Sequence, residues 1–142
     1  MAVLERLQML LQYRFRDPGL LDLAFTHSSV AYEEQAERHP QDDNEQLEFV
    51  GDAVLGLVVT EHLFLAYPEF TEGDLTRLRA HFVSRQNLGR AGQLKELGEY
   101  LRLGKGEEKS GGRRKTAILA NALEALIAAV YLDGHGAGYP PG

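Results

Sequence analysis

The 142-residue chain is long enough for one domain with a sizeable core and too short for two. With 44% hydrophobic and 25% charged residues it belongs with globular rather than disordered chains, and the absence of cysteine excludes disulfides, thiolate zinc sites and cysteine nucleophiles. The net charge of −6 hides an asymmetry: residues 1–72 carry 4 Lys/Arg against 14 Asp/Glu, whereas residues 73–115 carry 11 against 5. An acidic part beside a basic one is what a metal-dependent phosphodiesterase needs, carboxylates for cations and Lys/Arg for a phosphate backbone, although ordinary charge scatter produces the same totals.

At the N-terminus, Glu5 and Arg6 interrupt the apolar residues before a signal-peptide core can form, so a cytoplasmic protein is the expectation. Leu4, Leu7, Leu10 and Leu11 recur at helical spacing and predict an amphipathic helix over 3–12. Asp17-Pro18 reads as an N-cap followed by proline at the first helical position, opening a second helix to about Phe25. Residues 33–43 are polar, contain Pro40 and show no apolar period, which predicts a surface loop. A long helix is predicted over 44–67 and ends at Pro68. Another starts near Thr71 with Leu75, Leu78, Phe82 and Val83 on one side, followed by short helical pieces over 87–94. Residues 104–112 read as a glycine-rich loop, and a final helix covers 115–132. No segment alternates as a strand would, so the expected class is all-α; the glycine- and proline-rich residues 136–142 read as a disordered end.

Two of these helices carry acids where apolar residues are expected. At 100° per residue, Glu45, Glu48 and Asp52 fall within about 60° of one another. They stand among Leu47, Phe49, Val50, Val54, Leu55, Leu57, Val58 and Val59. In the last helix, from Ile118 to Leu132, the only strongly polar residues are Asn121 and Glu124, three apart and so on one face. A buried glutamate without a partner becomes neutral or finds a metal. Two helices with inward acids at i, i+3 or i+4 spacing make a plausible cation site with oxygen ligands. Such ligands favour magnesium or manganese over iron or zinc. A di-iron bundle would need Glu-x-x-His pairs, and here Gly51 and Ile127 stand at the third residue after Glu48 and Glu124.

Residues 44–52, Asn-Glu-Gln-Leu-Glu-Phe-Val-Gly-Asp, closely resemble the nine-residue signature of ribonuclease III, departing from its commonest form only at Gln46 and Val50. Four further stretches match in order: Ala24 to Ser29, Glu72 to Ala80, Leu103-Gly104 with Lys109 to Gly112, and Ile118 to Leu126. The resemblance covers about residues 3–135 and implies an all-helical, homodimeric endonuclease domain that cleaves both strands of duplex RNA with Mg2+, for which Mn2+ can substitute. It implies products with 5′-phosphate and 3′-hydroxyl ends, and a role in processing ribosomal or messenger RNA precursors. Carried over by position, Glu48, Asp52, Asn121 and Glu124 resemble metal-site residues, with Asp52 and Glu124 central to catalysis. Glu45 and Glu72 match additional acids of the catalytic valley, and Phe49 matches an aromatic that plugs into the partner subunit.

Lys105, Lys109, Arg113, Arg114 and Lys115 are candidates for gripping RNA phosphates. His27 reads as a hydrogen-bonded structural residue rather than a base, and Arg77 and Arg79 as partners of acids within the fold. Two features depart from the family pattern. Asn121 stands where aspartate is commonest, which predicts weaker metal affinity rather than lost activity. The further helix and separate double-stranded-RNA-binding domain usual in the family do not follow residue 135. The alternative function is a ribonuclease III-like module that binds RNA and has lost catalytic strength.

Overall fold

The structure, a computed structural model, describes residues 2–34, 37 and 39–135. The segment 136–142 expected to be disordered lies outside the described residues. Helix α1 (Ala2–Leu11) comes first. Helix α2 (Pro18–Ala24) begins as the sequence predicts, with the Asp17 side chain accepting from the Gly19 amide at 3.0 Å and Pro18 at the first helical position. Helices α3 (Ser29–Glu34), α4 (Glu45–Ala66), α5 (Glu72–Phe82), α6 (Arg85–Leu94), α7 (Lys105–Lys109) and α8 (Thr116–Gly134) follow, with short 3-10 turns at Pro40–Asp42, Leu97–Tyr100 and Gly112–Arg114. The all-α expectation holds: extended pairing among the described residues is limited to one parallel bridge between Thr26 and Arg102.

Capping sets several of the boundaries. Thr71 accepts from the Asp74 amide at 3.1 Å while Asp74 accepts from the Thr71 amide at 3.1 Å, a reciprocal box that starts α5 after Pro68 has ended α4. Ser84 accepts from the Asn87 amide at 3.1 Å, so α6 starts at Arg85, two residues before the expected position, and runs as one helix. Two segments expected to be loops contain helices. Part of 33–43 is the end of α3 and a 3-10 turn, and α7 lies within the glycine-rich 104–112. The α7 start is held from outside its own sequence, by the Glu33 carboxylate accepting from the Lys105 and Gly106 amides.

Helix α8 is apolar apart from the face that carries Asn121 and Glu124, and it forms the centre of the fold. Ile118, Leu119, Ala120, Ala122, Ala125, Leu126, Ala128 and Ala129 are buried, and α4, α6 and α2 pack against it. Its C-terminal end is anchored by Asp133, which accepts from the Tyr13 hydroxyl at 2.6 Å and from the Arg16 and Asp17 amides at 2.9 and 2.8 Å. Helices α4 and α8 both have the length and hydropathy of a membrane span. In α8 those apolar residues form the protein core, and α4 carries Glu45, Glu48, Asp52 and Glu61 along its length.

The α4–α8 contact depends on one residue. A Cβ at Gly51 would lie 1.7 Å from the carbonyl oxygen of Glu124, far inside any tolerated contact. Gly89 on α6 plays a similar part against Thr116, where an added Cβ would approach the backbone oxygen to 2.8 Å. Small residues therefore let the helix backbones touch. Gly51→Ala should lower the unfolding free energy by about 2–4 kcal/mol, at or above the usual cost of overpacking. Gly106→Ala, whose Cβ meets nothing within 4 Å, should be neutral or stabilising by up to about 1 kcal/mol. Urea unfolding of both variants checks this, and a Gly51→Ala protein as stable as the parent would contradict the account.

Candidate active site

The close approach at Gly51 places the flanking acids of α4 against the polar face of α8. Glu48 precedes Gly51 by three residues and Asp52 follows it by one; Asn121 and Glu124 are one turn apart on α8. Together with Glu45, Phe49, Val83, Arg85, Leu88 and Ala120 they line one open cavity of about 690 Å³. All four residues expected at the metal site are thus brought together, as is Glu45. Glu72 is not. It lies in a separate groove between α4 and α5 with Thr60, Leu63, Phe64, Leu75, Thr76 and Arg79.

Glu124 is the most enclosed of the acids, at 9% exposure, and its carboxyl is pushed up to about 7. Burial is the main cause, reinforced by a hydrogen bond with Asp52 and by the negative charges of Asp52 and Glu48; Arg85 acts in the opposite direction. Glu48 is also raised, chiefly by burial and then by Glu45 and Asp52, again against Arg85. Asn121 adds a donor to this acceptor-rich group. Oriented to satisfy its neighbours, its side-chain nitrogen donates to Glu48 Oε1 at 3.0 Å and to the Ala117 carbonyl at 3.3 Å. An ionised aspartate at 121 would have no proton for either bond.

Among the described residues, no three His, Cys, Asp or Glu side chains form a ready-made metal cage. The donor set nonetheless suits a hard divalent cation: four carboxylates and an amide line one space, with no histidine or sulfur ligand. Carboxylates held together against their own repulsion are what such a cation would relieve.

The basic residues divide. Arg113 is internal: it bonds the carbonyls of Gly98 and Leu101, each at 2.8 Å, and pairs with Glu108. Lys115 pairs with Glu107 at 2.6 Å. Arg113 is therefore tied into the fold, whereas Lys115 is exposed and held by a surface ion pair. Lys105, Lys109 and Arg114 are exposed and form no ion pair among the described residues. His27 accepts from the Ser29 amide at 3.1 Å and contacts the Ser29 hydroxyl at 2.8 Å, a structural role. Arg77 pairs with Asp74 at 2.6 Å, while Arg79 donates to Thr60 rather than to an acid. Phe49 is 80% exposed at the cavity rim, so it does not serve the protomer's core. Arg85 was not foreseen from the sequence, where it is one of many cations in a basic segment.

Similarity to known proteins agrees with this geometry. A family model described as Ribonuclease-III-like matches residues 17–138. The chain belongs to the ribonuclease III family. It is 51% identical over 131 residues to Ribonuclease 3 of Solibacter usitatus, covering 90% of this chain and 48% of that protein. It is 49% identical over 133 residues to Ribonuclease 3 of Geobacter sulfurreducens, covering 94% and 53%. The chain thus spans about half the length of these curated ribonucleases. Among solved structures, a nuclease domain of ribonuclease III from Campylobacter jejuni superposes with a TM-score of 0.82 at 40% identity, covering 91% of this chain and 85% of that one. That structure is described as showing flexibility in a region involved in dimer formation.

The raised Glu124 gives a signed pH dependence. The folded state holds this proton up to about pH 7, whereas the ordinary value is 4.5. As pH rises between the two, the unfolded chain loses its proton first, so stability falls, and the full cost is present above about pH 7. Without metal, Glu124→Gln should therefore gain stability on the parent as pH rises, the gap widening by about 2 kcal/mol from pH 5 to pH 8. Urea unfolding in EDTA at both pH values measures it; a gap independent of pH would show that Asp52, Glu48 and burial do not act on Glu124 as described.

Proposed function

We propose that this chain is the catalytic part of a ribonuclease III-type endoribonuclease that hydrolyses phosphodiester bonds of double-stranded RNA. The reading includes a divalent cation, Mg2+ with Mn2+ able to substitute, and products with 5′-phosphate and 3′-hydroxyl ends. Processing of ribosomal and messenger RNA precursors in the cytoplasm is the proposed setting. The observation that carries it is Glu124, buried in the central helix and facing Asp52 and Glu48 across the Gly51 contact.

Glu48, Asp52 and Glu124 would hold the cation. A bound divalent ion would activate water and stabilise the charge of the leaving oxygen. The protein's own contribution is positional. Helix α8 fixes Glu124 through its packing against α4, α6 and α2, and Asn121, oriented to satisfy its neighbours, fixes Glu48 through its donated hydrogen bond. With the acids held in place before RNA arrives, little reorganisation is left for the reaction. Asp52, the most exposed of the three, lines the same cavity. Lys105, Lys109 and Arg114 are the cations left to meet RNA phosphates.

Homodimerisation belongs to the same proposal. Helix α4 leaves Phe49, Leu57 and Phe64 on one stripe, with Val58 and Leu65 on another, all at least 58% exposed in the protomer. Exposed apolar surface of this extent marks an interface. Phe49 would then sit both in the contact with the second subunit and beside the acid cavity.

Asn121 is the one observation that favours the weaker alternative, an RNA-binding module that no longer cuts. Incubating a labelled RNA duplex with the protein in magnesium or in EDTA separates the two. Magnesium-dependent products that vanish in Glu124→Ala are expected. Duplex binding without cleavage, even in manganese and low salt, would support the module instead. In sedimentation velocity the parent should run as a dimer, and Phe49→Ala should weaken self-association by tenfold or more. An unchanged dimer would remove Phe49 from the interface.

A further inference from the structure

We propose that Arg85 is a substrate-positioning residue that takes one phosphate of the RNA backbone at the edge of the acid cavity. This rests on the nuclease reading above. Arg85 is the only cationic side chain among the described residues that line the cavity, where it shares the wall with Glu45, Glu48, Asp52 and Glu124. It is exposed, and among the described residues its guanidinium makes no hydrogen bond or ion pair. Three of the other arginines of the basic segment are committed to acids, Arg77 to Asp74, Arg102 to Asp22 and Arg113 to Glu108, and Arg79 donates to Thr60.

Its place in the chain is locally unfavourable. Ser84 caps α6, which puts Arg85 at the first helical position, where the helix dipole disfavours a cation. Packing does not require it there either, since the side chain is exposed while Leu88, one turn on, is buried. What the position provides is a fixed positive charge beside a site that collects acids. A site made of carboxylates alone repels the polyanion it must receive. A cation on the rim offsets that repulsion and offers the planar fork that binds phosphate oxygens in pairs.

Arg85 therefore has two consequences of opposite sign. Its charge opposes metal loading through the nearby acids, and it favours RNA. The Arg85→Ala variant of the full chain should bind Mn2+ two- to fivefold more tightly, read without RNA as free manganese by electron paramagnetic resonance. In steady-state cleavage of a short RNA duplex in Mg2+ it should raise KM by about tenfold, with kcat changed less than threefold. The slope of log KM against log salt should fall by about one phosphate's worth. Arg85→Lys should recover part of the KM effect because it restores the charge without the fork.

Tighter manganese binding with an unchanged KM and salt slope would make Arg85 only a counter-charge to the acids, and would overturn the proposal. So would weaker manganese binding together with losses in kcat and thermal stability, which would mark a structural residue. If the parent protein itself neither binds nor cuts the duplex, the nuclease reading fails first and the proposal falls with it. The manganese titration needs no RNA, so the two failures are distinguishable.

Discussion

The backbone contact between Gly51 and Glu124 is the constraint on which the rest of the molecule depends. Two long apolar helices pack in many folds, but few do so with one side chain removed at the crossing and acids placed on either side of it. Without a Cβ at residue 51, α4 settles against the carbonyl of Glu124. Glu48 and Asp52 then reach the polar face of α8. The same contact makes the core continuous, since α8 is also the surface against which α6 and α2 pack. Fold and site thus share one interaction, and weakening the packing there would loosen the acids at the same time.

The electrostatics follow from that geometry. Burial and mutual repulsion disfavour charge on Glu124 and Glu48, and the protein answers with two devices of different kinds. Asn121 donates a hydrogen bond to Glu48, a local contact that orients one carboxylate. Arg85 acts through space on both acids from within the same cavity lining. Neither neutralises the site. The remaining negative charge forms a cavity that binds little by apolar contact and is suited to a small hard cation.

Much of this was legible from the residues. The acid stripe on α4 and the lone polar pair on α8 show in the sequence because apolar helices rarely carry acids without cause. The capped start of α2 shows because Asp17-Pro18 satisfies helix amides locally, and the start of α5 near Thr71 shows in the apolar spacing that follows it. What was not legible depends on partners distant in sequence. Helix α7 is hidden by its glycines, since the Glu33 carboxylate that holds its first turn lies more than seventy residues away. The segment 87–94 read as short helical pieces, whereas it belongs to one helix in which Gly89 serves contact with α8. The internal role of Arg113 was not legible because charge patterns do not reveal the carbonyls that it bonds. Glu72, at the start of α5, lines a different groove of the protomer from the one that holds the other acids. Arg85 was hidden for the converse reason: its significance lies only in which acids it faces.

The central claim is that this helix contact builds a cation site from Glu48, Asp52 and Glu124. The most direct test is a crystal structure of the protein grown with manganese, with anomalous differences recorded to locate the ion. The account predicts an anomalous peak within the cavity, bounded by those three carboxylates and absent from crystals of Glu124→Gln. A well-ordered cavity with no peak at saturating manganese, or a peak only at other acids of the chain, would contradict it.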